Sequence, residues 1–351
     1  MPEAPLLIQP EGARPARRVL AYVIGSLILA GGLGWTAFQI WPRGPVERAM
    51  VAEIAAVAAA TPRFLERTGA ASPFAELVGE GESSPVFADL HGEGLLDLVT
   101  GGSSGQIRVF RNLGTRTRPS FAVAAENPFG LVETDTSNSV AFADLDGDGD
   151  LDAVNAGTNG ALTYFQNQGT REEPNFVLLA PENDPFYGII TPAESYDWHP
   201  VFADIDGDGD IDLFLGTRDG AILFLENRGT ARDPRFDGVA RLAPFGLRQA
   251  GEHVSLAFAD LDGDGDLDAI TGNAAGDLLV FENRGTSRRP EFKVREPGAL
   301  GLGRSGRGVS VALADLDGDG DFDCVAGDAA GAFHFFENVI ITHAGITAGS
   351  H

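Results

Sequence analysis

The chain has 351 residues and a formal net charge of -26, with 51 acidic against 25 basic residues. That excess excludes a nucleic-acid role, which needs a basic face, and the length leaves room for one large core or two ordinary ones. The single cysteine, Cys324, excludes an intramolecular disulfide, so sulfur does not staple this fold.

The first element in chain order is an uncharged run from Val19 to Pro42, "VLAYVIGSLILAGGLGWTAFQIWP". About 20 residues of helix cross ~30 Å of hydrocarbon, and Trp35 and Trp41 fall toward the far end, where indoles favour the interface. Arg14, Arg17 and Arg18 precede the run and Arg43 and Arg48 follow it, a slight positive-inside bias. A cleaved signal peptide has an apolar region of roughly 7–15 residues with a small-residue site just beyond. This run is longer, and the alanine-rich "AVAAATP" lies well past its end.

The sequence therefore predicts residues 1–18 as a cytoplasmic tail and 19–41 as a transmembrane signal anchor. Residues 42–61 follow as a helical stalk with Pro45 near its first position, then a folded domain over 62–343 and a tail over 344–351. A single-pass protein of this order has its folded domain in the periplasm or outside the cell, and the chain reads as bacterial.

From Pro62 onward the sequence repeats. "FADLDGDGDLDAV", beginning at Phe142, sets five aspartates at alternate positions, and the cluster's first aspartate recurs at Asp89, Asp144, Asp204, Asp260 and Asp315. The spacings are 55, 60, 56 and 55. An asparagine ending an aromatic run falls at Asn112, Asn167, Asn227, Asn283 and Asn338, with the same four spacings. Between these markers, "SVAFAD", "LDAVNAG", "ALTYFQN" and "NFVLLA" are short β-branched and aromatic runs separated by Gly, Asn and Pro, which is strand-and-turn chemistry. Four strands per repeat describe the blades of a β-propeller.

These repeats resemble the FG-GAP family and its bacterial relatives called VCBS repeats, known from integrin α-chain propellers. The resemblance runs over about 62–343 and implies a calcium-loaded propeller, commonly of seven blades. This chain has five loops and no room for two more blades. The expected fold is all-β: a five-bladed propeller of four-stranded blades with calcium loops, preceded by one transmembrane helix. The last repeat stops after "FHFFEN" and lacks the "GT…P-x-F" outer strand. The orphan "FLERTGAASPF" beginning at Phe64 resembles that piece, with Glu66 and Gly69 aligning to Glu226 and Gly229. An N-terminal strand is thus expected to close the ring.

Calcium takes roughly six to eight oxygens at about 2.3–2.6 Å, which gives densely repeated, mutually repulsive aspartates a purpose. In "DLDGDGDLD" the first, third, fifth and ninth residues can offer carboxylates and the seventh its carbonyl, with glycine permitting the sharp turn. Carried over from the family, the ligands are Asp144, Asp146, Asp148, Asp150 and Asp152, then Asp204, Asp206, Asp208, Asp210 and Asp212. The fourth repeat gives Asp260, Asp262, Asp264, Asp266 and Asp268, and the fifth Asp315, Asp317, Asp319, Asp321 and Asp323. Of these, Asp150, Asp210, Asp266 and Asp321 would offer backbone oxygen. The first repeat, "DLHGEGLLD", keeps Asp89, Glu93 and Asp97 but puts His91, a poor calcium ligand, at the third position. Four full calcium sites and a degenerate fifth are expected.

No catalytic signature stands out. The six histidines sit in no zinc or triad pattern, there is no nucleophile elbow or phosphate loop, and Cys324 falls in a predicted strand. The leading reading is a membrane-anchored, non-catalytic module for protein interaction, adhesion or scaffolding. The alternative is calcium-dependent binding of polysaccharide, or processing of polysaccharide or lipid. Because neighbouring strands run antiparallel, the calcium loops and the "ENRGT" turns share one face, expected to look toward the membrane. The other face carries the one long crossing, "YGIITPAESYDWHP". Its Tyr187, Tyr196, Trp198 and His199 are the expected surface for a protein partner or glycan.

Overall fold

The computed structural model describes residues 62–339 apart from 80, 127, 132–138, 158–159, 181–182, 190, 192–196 and 237, together with 341–342 and 345–346. The predicted tail, transmembrane helix and stalk lie outside the described residues, among which no helix is long and apolar enough to cross a membrane. Ile341–Thr342 and Gly345–Ile346 pair as a short ladder that forms a separate unit.

Residues 62–339, so far as they are described, fold as a five-bladed propeller of antiparallel four-stranded sheets. Blade 1 consists of Ser84–Ala88, Asp97–Gly101, Arg108–Asn112 and Phe121–Glu126. Blade 2 is Ser139–Ala143, Asp152–Ala156, Leu162–Asn167 and Phe176–Leu178, and blade 3 is His199–Ala203, Asp212–Gly216, Ile222–Leu225 and Arg241–Leu242. Blade 4 follows with Ser255–Ala259, Asp268–Gly272, Leu278–Asn283 and Phe292–Val294. In each blade the second strand is buried along its whole length. Both of its faces are covered by neighbouring blades, which explains apolar runs such as "DLFLG" that lack the alternation of a one-sided strand. The core accordingly lies between blades. Phe214 and Phe224 of blade 3 pack with Leu256 and Phe281 of blade 4, and Val325 and Phe335 of blade 5 with Leu98 and Phe110 of blade 1.

The last blade is built from both ends of the domain: Ser310–Ala314, Asp323–Gly327 and Phe333–Asn338 are completed by Phe64–Arg67, which pairs with the third of them. The expected closure is therefore present, but its register differs from the sequence alignment. Phe64 pairs with Asn338 as Phe292 pairs with Asn283 and Phe176 with Asn167. Pro62-Arg63-Phe64 is thus the missing P-x-F, and the alignment of Glu66 and Gly69 with Glu226 and Gly229 is corrected. A Cβ on Gly301 would meet the carbonyl oxygen of Phe64 at 2.2 Å, as one on Gly246 would meet that of Phe292 at 2.7 Å. Pro73-Phe74 has a different counterpart. Phe74 stacks on Phe121 at 5.1 Å, and Phe186 on Phe236 at 5.0 Å, each wedging the crossing into a blade against that blade's P-x-F ring.

Trp198 corrects a second expectation. Its side chain is 6% exposed, in a core cluster with Tyr164, Phe186 and Phe236. It stands immediately before the inner strand His199–Ala203 and its indole packs between blades 2 and 3, where burial of a large aromatic outweighs its use on the surface. Trp198→Ala should therefore destabilise the propeller by about 3–5 kcal/mol, read as a shift in the denaturation midpoint. A shift below ~1 kcal/mol would return Trp198 to the surface. Tyr187 is 72% exposed, Tyr196 lies outside the described residues, and His199 opens an inner strand with Nδ1 3.2 Å from Ser139 Oγ.

Candidate metal centres

Each aspartate-rich loop joins the first strand of a blade to the second. Glycines supply the turn: Gly147 and Gly149 have φ of 71° and 99°, in the left-handed region open to residues without a Cβ. The first-position aspartate then gathers the loop. Asp260 accepts the Asp264 and Gly265 N–H at 3.0 and 2.8 Å, and Asp144 accepts those of Gly147 and Gly149 at 2.7 and 3.2 Å. The fifth-position carboxylate is fixed by accepting the seventh N–H, at 2.9–3.1 Å in all four full loops.

The result is four carboxylate triplets: Asp144, Asp146 and Asp148; Asp204, Asp206 and Asp208; Asp260, Asp262 and Asp264; and Asp315, Asp317 and Asp319. In each, one oxygen per residue lies within 4.8 Å of the others, an arrangement that could hold a metal ion. The donor set is all oxygen, as hard divalent cations require. In the third loop, Asp206 Oδ1 and Asp212 Oδ2 are buried with no hydrogen-bond partner, which fits a cation between them.

The ninth aspartate has a structural task as well. Its Oδ1 accepts the N–H of the phase-marking asparagine at 2.8 Å in every blade: Asp97 with Asn112, Asp152 with Asn167, Asp212 with Asn227, Asp268 with Asn283 and Asp323 with Asn338. This bond ties the loop to the third strand and explains why the two sequence markers stay in phase. Its Oδ2 also accepts the second-position N–H from Leu145, Leu261 and Leu316 at 3.1, 3.3 and 3.1 Å. Burial, reinforced by the neighbouring acids, pushes Asp152, Asp212 and Asp268 up to about 7 and Asp323 to about 8. Asp150, Asp317 and Asp321 rise to about 6, chiefly through burial and then through the fifth-position carboxylate.

In the first loop, basic side chains stand beside the acids. Arg171 Nη2 donates to Asp89 at 2.9 Å, Arg111 Nη2 to Glu93 at 2.7 Å, and His91 Nδ1 lies 2.7 Å from Asp97 Oδ2. All three residues marked as weak ligands thus have a basic neighbour. The position of Arg111, just before the asparagine, was missed in the sequence. Its equivalents are Gln166, whose Nε2 donates to Asp146 at 2.7 Å, and Glu226, Glu282 and Glu337. These glutamates raise the pKa of Asp206, Asp262 and Asp317 respectively, behind the larger effects of burial and neighbouring aspartates. Charge at this one position therefore separates the first loop from the other four, and it was legible as the residue preceding each asparagine.

Neighbouring blades clasp the loops from the same face. A Cβ added at Gly147 would lie 2.3 Å from Arg232 Cγ, one at Gly207 3.2 Å from the Ser287 carbonyl, and one at Gly318 2.7 Å from Thr117 Cγ2. The third-to-fourth-strand turns therefore share a face with the loops, as antiparallel order requires. Burial pushes the Cys324 thiol well above its ordinary range, which suits a strand residue and not a nucleophile.

No curated protein matches the chain. Among solved structures, it is similar to an α-L-arabinofuranosidase (CtGH43) from Clostridium thermocellum, at 8% identity and a TM-score of 0.48, covering 75% of this chain and 91% of that one. A GH43_1 enzyme from Xanthomonas citri complexed with xylose gives 10% and 0.48 over 82% and 95%. BBS1N in complex with ARL6DN gives 12% and 0.39 over 78% and 96%. Likenesses at this level say nothing about activity. A family model described as "FG-GAP-like repeat" matches residues 89–155 and 204–271, each running from an aspartate loop into the strand that follows the same loop one blade later. With the repeats in phase and one strand order in every blade, the chain carries FG-GAP-like repeats over those residues.

Proposed function

We propose that this propeller is a calcium-stabilised, non-catalytic interaction module held at a membrane by its N-terminal segment. The observation that supports it best is the fourfold recurrence of three converging aspartate carboxylates on glycine-turned loops. Calcium would be held by the first, third and fifth carboxylates of each full loop, with the seventh carbonyl and, in the third loop, the unpaired Oδ2 of Asp212 available to it. It would supply positive charge that permits these acids to ionise together. Extracellular modules bind calcium at about 10⁻⁴–10⁻³ M, which suits a domain outside the cytosol. The proposed membrane attachment rests on the uncharged run Val19–Pro42. A protein partner or glycan would then be met by the face away from the loops, where Tyr187 and His199 remain as candidates.

Equilibrium dialysis of the full-length chain should return four calcium ions per chain. Asp148→Asn, Asp208→Asn, Asp264→Asn and Asp319→Asn should each remove one, while Glu93→Gln removes none. Zero bound calcium at millimolar concentration would dismiss the reading, and five would mean that the arginines of the first loop yield to the ion.

A further inference from the structure

The five inner strands begin around the mouth of the central channel, on the face away from the aspartate loops. Their first residues are Ser84, Ser139, His199, Ser255 and Ser310, so one blade has a histidine where four have a serine. These side chains join neighbouring strands: Ser84 Oγ lies 3.0 Å from Ser139 Oγ, which lies 3.2 Å from His199 Nδ1. Two residues before the inner strand the backbone turns left-handed, with φ of 59° at Glu82, 59° at Asp197, 50° at His253 and 61° at Gly308. The corresponding residue of blade 2 lies outside the described residues. Glycine adopts this conformation freely, whereas another residue costs on the order of 1–3 kcal/mol there. Three blades thus hold a titratable side chain at a strained position where blade 5 has glycine.

All three reach one cavity. Glu82, Asp197, His199 and His253 line a space of 130 Å³ at the channel mouth, together with Ser139 and Ser310. A cavity of roughly 150 Å³ accommodates benzene, so this one has room for about one six-membered ring. Its walls are polar, and such a space suits a ligand that hydrogen-bonds. His253 Nδ1 lies 3.0 Å from Asp197 Oδ2, which lowers the pKa of Asp197 and keeps it ionised. Burial lowers the pKa of His199, so its imidazole is neutral at neutral pH, with one donor and one acceptor nitrogen. The lining therefore combines carboxylates, which only accept, with an imidazole and hydroxyls, which do both. A ligand hydroxyl also does both and can meet either kind of partner, whereas an ammonium only donates.

We infer that the channel mouth is a binding site for a single sugar ring, the terminal unit of a glycan. The ring hydroxyls donate to Glu82 and Asp197 and exchange hydrogen bonds with His199 and the two serines. The rest of the glycan extends outward from the face. This names the ligand for the glycan reading of that face and rests on it. No metal takes part, because the aspartate loops lie at the opposite ends of these strands.

The test is saturation-transfer NMR on the full-length chain, with the methyl glycosides of glucose, galactose, mannose and xylose as probes. Cyclohexanol serves as a ring that lacks the further hydroxyls. At least one glycoside should receive saturation at tens of millimolar, and cyclohexanol should not. Glu82→Gly and His199→Ser each install the residue that another blade carries at that position, so both should fold. Glu82→Gly also relieves a strained backbone and should melt no lower than the parent. It should weaken binding of the glycoside about tenfold or more, as loss of a hydrogen bond to a charged group implies, and His199→Ser should weaken it severalfold. If none of the four glycosides binds, the site is overturned and a protein partner on that face is not. Binding that survives both substitutions places the glycan elsewhere on the face, which overturns the mouth and keeps the broader reading. Should Glu82→Gly fail to fold, His199→Ser decides, and undiminished binding there overturns the site.

Discussion

Chelating calcium from the full-length chain at pH 8 should lower its melting temperature by on the order of 20 °C. One site held at a hundred times its dissociation constant contributes about 2.7 kcal/mol. Four give about 10 kcal/mol, comparable with a domain's whole net stability, and each kcal/mol moves a domain of this size by about 2 °C. The direction with pH follows from the buried ninth aspartates. In the metal-free protein their folded pKa values, about 7 for Asp152, Asp212 and Asp268 and about 8 for Asp323, lie above the ordinary 3.8. The folded state then holds protons that the unfolded chain has released. Stability is full below pH ~4 as far as these groups are concerned, and is lost as pH rises from there to about 8. Chelated protein should melt progressively lower across that window, whereas calcium-loaded protein should not. Thermal melts at pH 5 and pH 8, with calcium and with chelator, check both parts. Equal melting with and without calcium at pH 8 would remove the metal from the account of stability.

Phe64→Ala should cost about 3–5 kcal/mol, as much as Phe292→Ala, although Phe64 lies over two hundred residues from the strand it completes. Phe64 is 1% exposed and packs among Ile270 and Val280 of blade 4 and Phe336 of blade 5, so its loss leaves a cavity at the point where the ring closes. Deleting 62–75 goes further. It removes the outer strand of blade 5 and also Phe74, which packs against Phe121, Phe333 and Phe335. That deletion should leave the seam between blades 5 and 1 open to protease at temperatures where the parent resists. Deletion of 46–60 should leave the melting temperature unchanged. Indifference to the first deletion would mean that the sheet pairing of Phe64–Arg67 contributes nothing to closure.

The sequence alone determined the repeat, the number of blades, the loop residues and the need for closure from the N-terminus. Each of these is written in local order. Aspartates at alternate positions, glycines between them and an asparagine 23 residues after the first aspartate in every repeat can be read without knowing which chain segments meet. Contacts made across blades were decided only by the tertiary structure. Pro62-Arg63-Phe64 is too short a match to stand out until Phe64 is seen opposite Asn338. Trp198 looked like a surface residue because its crossing is long, but it stands immediately before an inner strand and its ring packs between blades 2 and 3. Arg171 neutralises Asp89 from 82 residues away, a pairing invisible in one dimension because it depends on the angle between adjacent blades. The acidic pattern is local because each carboxylate triplet is gathered from nearby residues of one loop. Which basic side chains stand beside a given loop, as Arg171 does beside Asp89, is decided only when neighbouring blades meet.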